Sequence, residues 1–199
     1  MSNSTAETSA ATLTLDLTGV QPADIIVSTT DQTTSKAIRI GSCSSYSHAI
    51  LVLENGDCIE SVVKDGVIKR PLSHALENAV RATLLRHHYV DANLAAWICH
   101  DAETLGKGKP YDKSGAIRSG VSTGCGGLLR YSTPSLIIQM TDELSKLGNH
   151  DDSFFCSELV ARAFEKSGLS LINGRAHTAT PGAIASSPHL KFIKELITV

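Results

Sequence analysis

The chain reads as one globular domain in which short strands gathered in the first half are followed by helices. Three observations predict this. Short apolar runs between residues 25 and 86 are closed by turns rich in Gly, Asn and Asp. Beyond Asp91 the apolar residues recur at helical spacing. The composition, 42% hydrophobic and 19% charged over 199 residues, suffices for a single core. The expected domain is 12–199, behind a disordered Ser/Thr/Ala-rich tail at 1–11.

Leu13 to Leu17 fits a short edge strand. Ile25-Ile26-Val27, entered through Pro22-Ala23-Asp24, is a compact buried strand, and Thr29 to Lys36 reads as loop. His48 to Leu53 and Cys58 to Val63 are strands joined by Glu54-Asn55-Gly56-Asp57. The turn length decides their register. A two-residue Asn55-Gly56 loop sets Glu60 opposite Leu51, on the other face from His48. A three-residue loop with Gly56 left-handed sets Glu60 opposite Ile50, so that His48 and Glu60 share a face as a diagonal pair.

Lys64 to Val67 reads as another turn, Ser73 as the cap of a short helix to about Ala79, and Val80 to Arg86 as a strand. Asp91 caps a helix from Ala92 to Leu105, with Leu94, Trp97, Ile98, Ala102 and Leu105 toward the core and Gly106 as its stop. Gly106 to Asp112 is a loop, and 119–127 is a glycine-rich stretch without the Lys-Ser/Thr ending of a phosphate loop, read as a lid or insertion. Pro134 to Leu147 is an amphipathic helix. The next begins after the cap candidates Asp151, Asp152 and Ser153 and stops at Gly168. A turn at Asn173-Gly174, a loop at Thr180-Pro181-Gly182, a short helix near Ala183 to Ser186 and a segment from Leu190 to Val199 complete the chain.

Composition narrows the function. A net charge of −2 with dispersed Lys and Arg offers no basic field, so no nucleic-acid partner is expected. No run approaches the ~18 apolar residues of a membrane span, and the N-terminal stretch lacks the basic and apolar regions of an export signal. The protein is therefore expected to be cytoplasmic as encoded, or to leave by a signal-independent route. Cys43, Cys58, Cys99, Cys125 and Cys156 are odd in number and show no CxxC spacing, which reads as reduced thiols. His87, His88 and His100 lack partners at metal-binding spacing, so neither a metal nor another cofactor is expected.

Cys156 carries the chemistry. In the first turn of its helix, unpaired N–H groups and the positive end of the dipole favour a thiolate, and the same N–H groups can hold an oxyanion. Read plainly, a single helical cysteine is a small buried hydrophobe. Its company argues otherwise: thiolate attack on a carbonyl needs an imidazole to share the proton and a polar residue to orient the imidazole. Cys156, His48 and Glu60 can fill these roles, with Cys125 as second-choice nucleophile.

At these residues the chain resembles the circularly permuted papain-like cysteine hydrolases of the NlpC superfamily, in particular the YiiX/YebB-like group. The matching pieces are Ala23-Asp24-Ile25-Ile26-Val27, Ser47-His48-Ala49, Ile59-Glu60-Ser61 with Gly66-Val67, Gly108-Lys109-Pro110-Tyr111-Asp112, Phe155-Cys156-Ser157-Glu158-Leu159-Val160, and Thr180-Pro181-Gly182. Ala23, where a glycine is usual, and the Ser/Thr/Gly-rich insertion near 114–135 depart from the pattern.

The resemblance implies an α+β fold, with an antiparallel, partly barrel-like sheet carrying His48 and Glu60 and packed against the Cys156 helix. It implies Cys156 as nucleophile, His48 as general base and acid, and Glu60 as orienter. Tyr46, Tyr111 and Asp24 become candidate substrate-binding residues, each with a plainer reading such as a strand-start cap for Asp24 or a loop anchor for Tyr111. The implied activity is that of a peptidase or amidase on a peptide or amide substrate, cell-wall peptides among them, with delivery as an antibacterial effector as one route of action. Lipid acyl transfer or ester cleavage at the same Cys-His site, and an inactive binding domain, are the rival expectations.

Overall fold

The computed structural model describes residues 14–32, 35–36, 38–39, 44–112 and 154–198. The expected tail at 1–11, the glycine-rich stretch with Cys125, the 134–147 helix and the cap candidates Asp151, Asp152 and Ser153 lie outside them.

Among the described residues, eight strands and four α-helices follow in chain order: β1 (Thr14–Leu15), β2 (Ile25–Thr30), β3 (His48–Val52), β4 (Asp57–Val62), β5 (Gly66–Pro71), α1 (Leu72–Ala75), β6 (Ala79–His87), α2 (Ala92–Gly106), α3 (Cys156–Lys166), α4 (Pro181–Ala185), β7 (Leu190–Glu195) and β8 (Ile197–Thr198). The fold is α+β. Its centre is a six-stranded sheet in the order β5-β4-β3-β2-β6-β7, antiparallel at every pairing, and β1 pairs with β8 apart from it.

The sheet has two apolar faces because its central strands alternate between two cores. Ile25, Val27, Ala49, Leu51 and Ile59 pack beneath α2, α3 and α4, against Ile98, Leu159, Val160, Phe164 and Ile184. Ile26, Ile50, Val52, Cys58 and Leu84 face the other way, against Leu72 and Leu76 of the α1 turn and Leu196 beyond β7. Strands buried on both sides read as unbroken apolar runs, as Ile25-Ile26-Val27 does.

The structure corrects several boundaries. β2 runs on to Thr30, because hydroxyls in its polar end find partners: Thr29 Oγ1 lies 3.1 Å from Ser35 Oγ and 3.2 Å from Ser47 Oγ. Of the expected turn at Lys64 to Val67, Lys64 and Asp65 do turn, whereas Gly66 and Val67 already open a full strand, β5. The α1 helix begins at Leu72 behind Pro71, with no side-chain cap, and Ala79 already belongs to β6. Pro181 and Gly182 lie inside α4, whose cap is Thr180 accepting from Ala183 N at 3.0 Å. The C-terminal segment forms β7 and β8.

α2 starts where expected, with the Asp91 carboxylate accepting from Leu94 N at 2.8 Å. Its buried stripe is Ala95, Ile98, Cys99, Ala102 and Gly106, whereas Trp97 is 65% exposed. The small residues set this rotation. A Cβ on Gly106 would lie 2.4 Å from Val67 Cγ1, so the helix rests against β5 at a distance that leaves an indole no room.

Candidate active site

The β3–β4 hairpin sets the first two groups. Its ladder pairs Leu51 with Ile59 and Val52 with Cys58, and Leu53 N donates to Asp57 O at 2.8 Å, leaving the three-residue loop Glu54-Asn55-Gly56. Both Asn55 (φ 58) and Gly56 (φ 79) are left-handed, one residue more than a simple G1 bulge requires. This register turns His48 and Glu60 to one face. There His48 Nε2 lies 2.5 Å from Glu60 Oε2.

The ladder then opens. β3 begins at His48 and β4 continues to Val62, yet their pairing stops at Leu51 and Ile59. Had it continued, the Ala49 N–H would have met Ser61. Instead both groups serve α3: the Ala49 N–H donates to the Cys156 sulfur, and Ser61 Oγ donates to Phe154 O at 2.6 Å. The opened ladder is thus the seat of α3.

Cys156 is the first residue of α3, and Phe155, extended at φ −90 and ψ 164, stands at the N-cap without a side-chain cap. The N-cap therefore lies two residues beyond the last of the expected caps, Ser153. The first intrahelical bond is Leu159 N to Phe155 O, and the Ser157 N–H points at the Cys156 sulfur. Ser157 Oγ donates to Ala179 O at 2.8 Å and ties the first turn down. At the far end Gly168 (φ 80) and Leu169 donate to Glu165 O and Phe164 O, a Schellman closure.

The charges of the site support one another. Cys156 is 3% exposed, and burial alone would push its thiol up; the His48 charge and hydrogen bond, with the Ala49 and Ser157 N–H groups, bring it below the usual thiol range. Burial opposes charge on His48 as well, but the Cys156 thiolate and then Glu60 push it up to about 10. Glu60 is 1% exposed and still held below the usual carboxylate range, by His48 and by Arg70, whose Nε donates to Glu60 Oε1. These shifts all favour a thiolate–imidazolium pair with an ionised carboxylate behind it.

Gly108 to Asp112 brackets Cys156. Val67 N donates to Lys109 O, Phe154 N to Pro110 O and Asp112 N to Phe154 O, so Tyr111 and Phe154 run side by side as a parallel bridge. Burial and the Cys156 charge raise the Tyr111 phenol above its usual range. A groove of about 500 Å³ opens beside the site, lined by Ser28, Thr30, Ser47, His48, Arg70 and Tyr111 among others.

The structure brings Cys156, His48, Glu60 and Tyr111 together and sends Tyr46 and Asp24 elsewhere. The Tyr46 hydroxyl lies 2.7 Å from Thr83 Oγ1 with Arg81 over its ring, outside the groove lining. Asp24 stands just before β2, several residues from Ser28, which pairs with His48; it binds Arg86 at 2.6 and 2.7 Å and accepts from Gln21 N at 2.8 Å. A buried carboxylate with a bidentate arginine and a backbone donor is a strand-start anchor. Glu158 pairs with Arg162 one turn on, at 2.9 Å. Sequence reasoning missed Arg70, because the sequence suggests no element for residues 68–72, between the Lys64 to Val67 turn and the Ser73 cap. With Arg70 opposite Cys58 in the β4–β5 ladder, its position diagonal to Glu60 becomes legible.

Among the described residues no three His, Cys, Asp or Glu side chains converge as a metal site. No helix there is long and apolar enough to cross a membrane.

No protein-family model matches the chain, and no curated protein matches it. Among solved structures it is similar to the metalloprotein YiiX from Escherichia coli O157:H7, with a TM-score of 0.61 and 18% identity, over 87% of this chain and 96% of that one. The likeness shows a YiiX-like fold.

Proposed function

We propose that this protein is a cysteine hydrolase of the peptidase or amidase type, built on a circularly permuted papain-like domain of the NlpC superfamily. The observation that carries the reading is the unbroken line Cys156–His48–Glu60, with the sulfur also held by the Ala49 and Ser157 N–H groups. Such a line supplies nucleophile, shared proton and orienter in one geometry.

The thiolate attacks the amide carbonyl carbon, the C–S bond forms, and the carbonyl electron pair moves onto oxygen beside the N–H groups at the positive end of α3. The imidazolium of His48 gives its proton to the amide nitrogen as the C–N bond breaks, releasing an amine and leaving a thioester. Water then loses a proton to neutral His48 and adds to the thioester; the C–S bond breaks, and a carboxylic acid leaves with the thiolate restored. Glu60 keeps the imidazole in plane through both steps.

Ser28, Thr30, Ser47 and Arg70 in the groove lining can hydrogen-bond a peptide backbone, which supports a peptide-like substrate. Cell-wall peptides are the class that the resemblance suggests. YiiX is itself called a metalloprotein. In this chain His48 bridges the sulfur and the carboxylate, so the three side chains form a line with no common centre, and the set does not fit a metal.

The test is iodoacetamide labelling across about pH 4 to 9, with the modified residue located by mass spectrometry. Rapid labelling of Cys156 well below the ~8.5 of a free thiol, lost in His48→Ala, supports the reading. Labelling at the rate of an ordinary buried thiol sinks it and leaves the binding-domain alternative in front.

A further inference from the structure

Three neighbouring strands carry one polar group each on the same face: His48 on β3, Glu60 on β4 and Arg70 on β5. Each oxygen of the Glu60 carboxylate has a different partner, Oε2 the imidazole and Oε1 the guanidinium. That carboxylate is buried, whereas Arg70 keeps a third of its side chain open to the groove. A buried carboxylate with only an imidazolium beside it has an alternative to charge separation: the proton can cross, leaving a neutral acid and a neutral imidazole. A permanently charged guanidinium on the second oxygen opposes that crossing, because it stabilises only the ionised acid.

We propose that Arg70 is a positioning residue that keeps Glu60 ionised, so that the shared proton stays on His48 and the Cys156 sulfur stays anionic. This rests on the cysteine-hydrolase reading of the site. The groups facing Glu60 agree with it. From β3 comes His48, from β5 Arg70, and from its own strand Cys58, whose thiol is pushed up to about 12 by burial and the Glu60 charge and so stays protonated. His74 of α1 lines the same groove. Arg70 is in this view the fixed charge at the end of a four-residue line, acting on the sulfur only through Glu60 and His48.

A double-mutant cycle on the full chain tests this, with the pH profile of Cys156 alkylation and the ultraviolet absorbance of the thiolate, corrected against Cys156→Ser, as readouts. Arg70→Met is expected to raise the labelling midpoint by about one pH unit, which is about tenfold slower labelling on the acid limb. Arg70→Lys, which keeps the charge without the fork, is expected to stay within about threefold of the parent. In a Glu60→Gln background, where no carboxylate remains to be held ionised, Arg70→Met should change nothing further.

An unchanged midpoint in folded Arg70→Met, or an equal and additive loss in the Glu60→Gln background, overturns the proposal. Should Arg70→Met fail to fold, Arg70→Gln and Arg70→Lys carry the same comparison. If the unsubstituted protein shows no activated thiolate, it is the hydrolase reading that fails. If it does and Arg70 leaves the profile untouched, only the role given to Arg70 falls.

Discussion

At the residue scale, the proposed chemistry depends on where two protons sit. Cys156 is an acid lowered by its surroundings and His48 a base raised to about 10, so the thiolate–imidazolium pair exists between those limits. On the hydrolase reading, kcat/KM should rise with pH as Cys156 ionises and fall again near 10 as His48 loses the proton needed by the leaving amine. A profile with no alkaline limb would show that His48 is not the acid. Glu60 makes a separate contribution to stability. Its folded value is depressed, so its stabilisation is present above the ordinary carboxylate pKa of about 4.3 and lost as pH falls through the folded value. Glu60→Gln should therefore flatten the acid branch of a melting-temperature profile below about pH 4.5. His48, raised, works in the opposite sense: its share is complete below about 6.5 and lost as pH rises through about 10.

At the scale of elements, the site depends on a strand pair that stops pairing. The Gly66 turn and the Lys109–Asp112 segment hold the space into which α3 is inserted. A Cβ on Gly66 would lie 2.4 Å from Lys109 O, on a residue already at φ 72. Gly66→Ala is expected to cost about 2 kcal/mol in chemical denaturation, from backbone strain and the displaced carbonyl. It should also slow Cys156 labelling, because Lys109–Asp112 grips Phe154 two residues before Cys156. Unaltered labelling in a destabilised Gly66→Ala protein would mean that the segment supports the fold and not the thiol. Gly56, with φ 79 and open space around it, should tolerate alanine at about 1 kcal/mol and keep the site intact.

At the scale of the molecule, two apolar layers enclose one sheet, and α3 lies on the layer that carries the larger aromatic load. Phe164 is fully buried there, its ring centroid 5.7 Å from that of His87. Phe164→Ala should lower unfolding free energy by about 3 to 5 kcal/mol, measured by urea titration. The loss should exceed that of any change in the groove lining. An effect under about 1 kcal/mol would mean that the two layers are held together elsewhere.

What could be read from the chain alone were features set by near neighbours: the three-residue option at Glu54-Asn55-Gly56, the Asp91 cap, the Gly168 stop and the first-turn position of Cys156. Each rests on a local rule of backbone or capping, so a few residues suffice to state it. His48, Glu60 and Cys156 could be named by their chemistry and by resemblance, but their meeting could not be stated, since the hairpin admitted two registers. Tertiary structure chose between them and opened the β3–β4 ladder so that the Ala49 N–H reached the sulfur. It also turned Trp97 outward, because Gly106 had to approach Val67, and carried Tyr46 and Asp24 away from the groove to Thr83 and Arg86. Arg70 joined Glu60 only once β5 had paired with β4. Contacts between strands depend on register and burial, which are settled jointly by the whole sheet and its two cores, and no short stretch of sequence contains that sum.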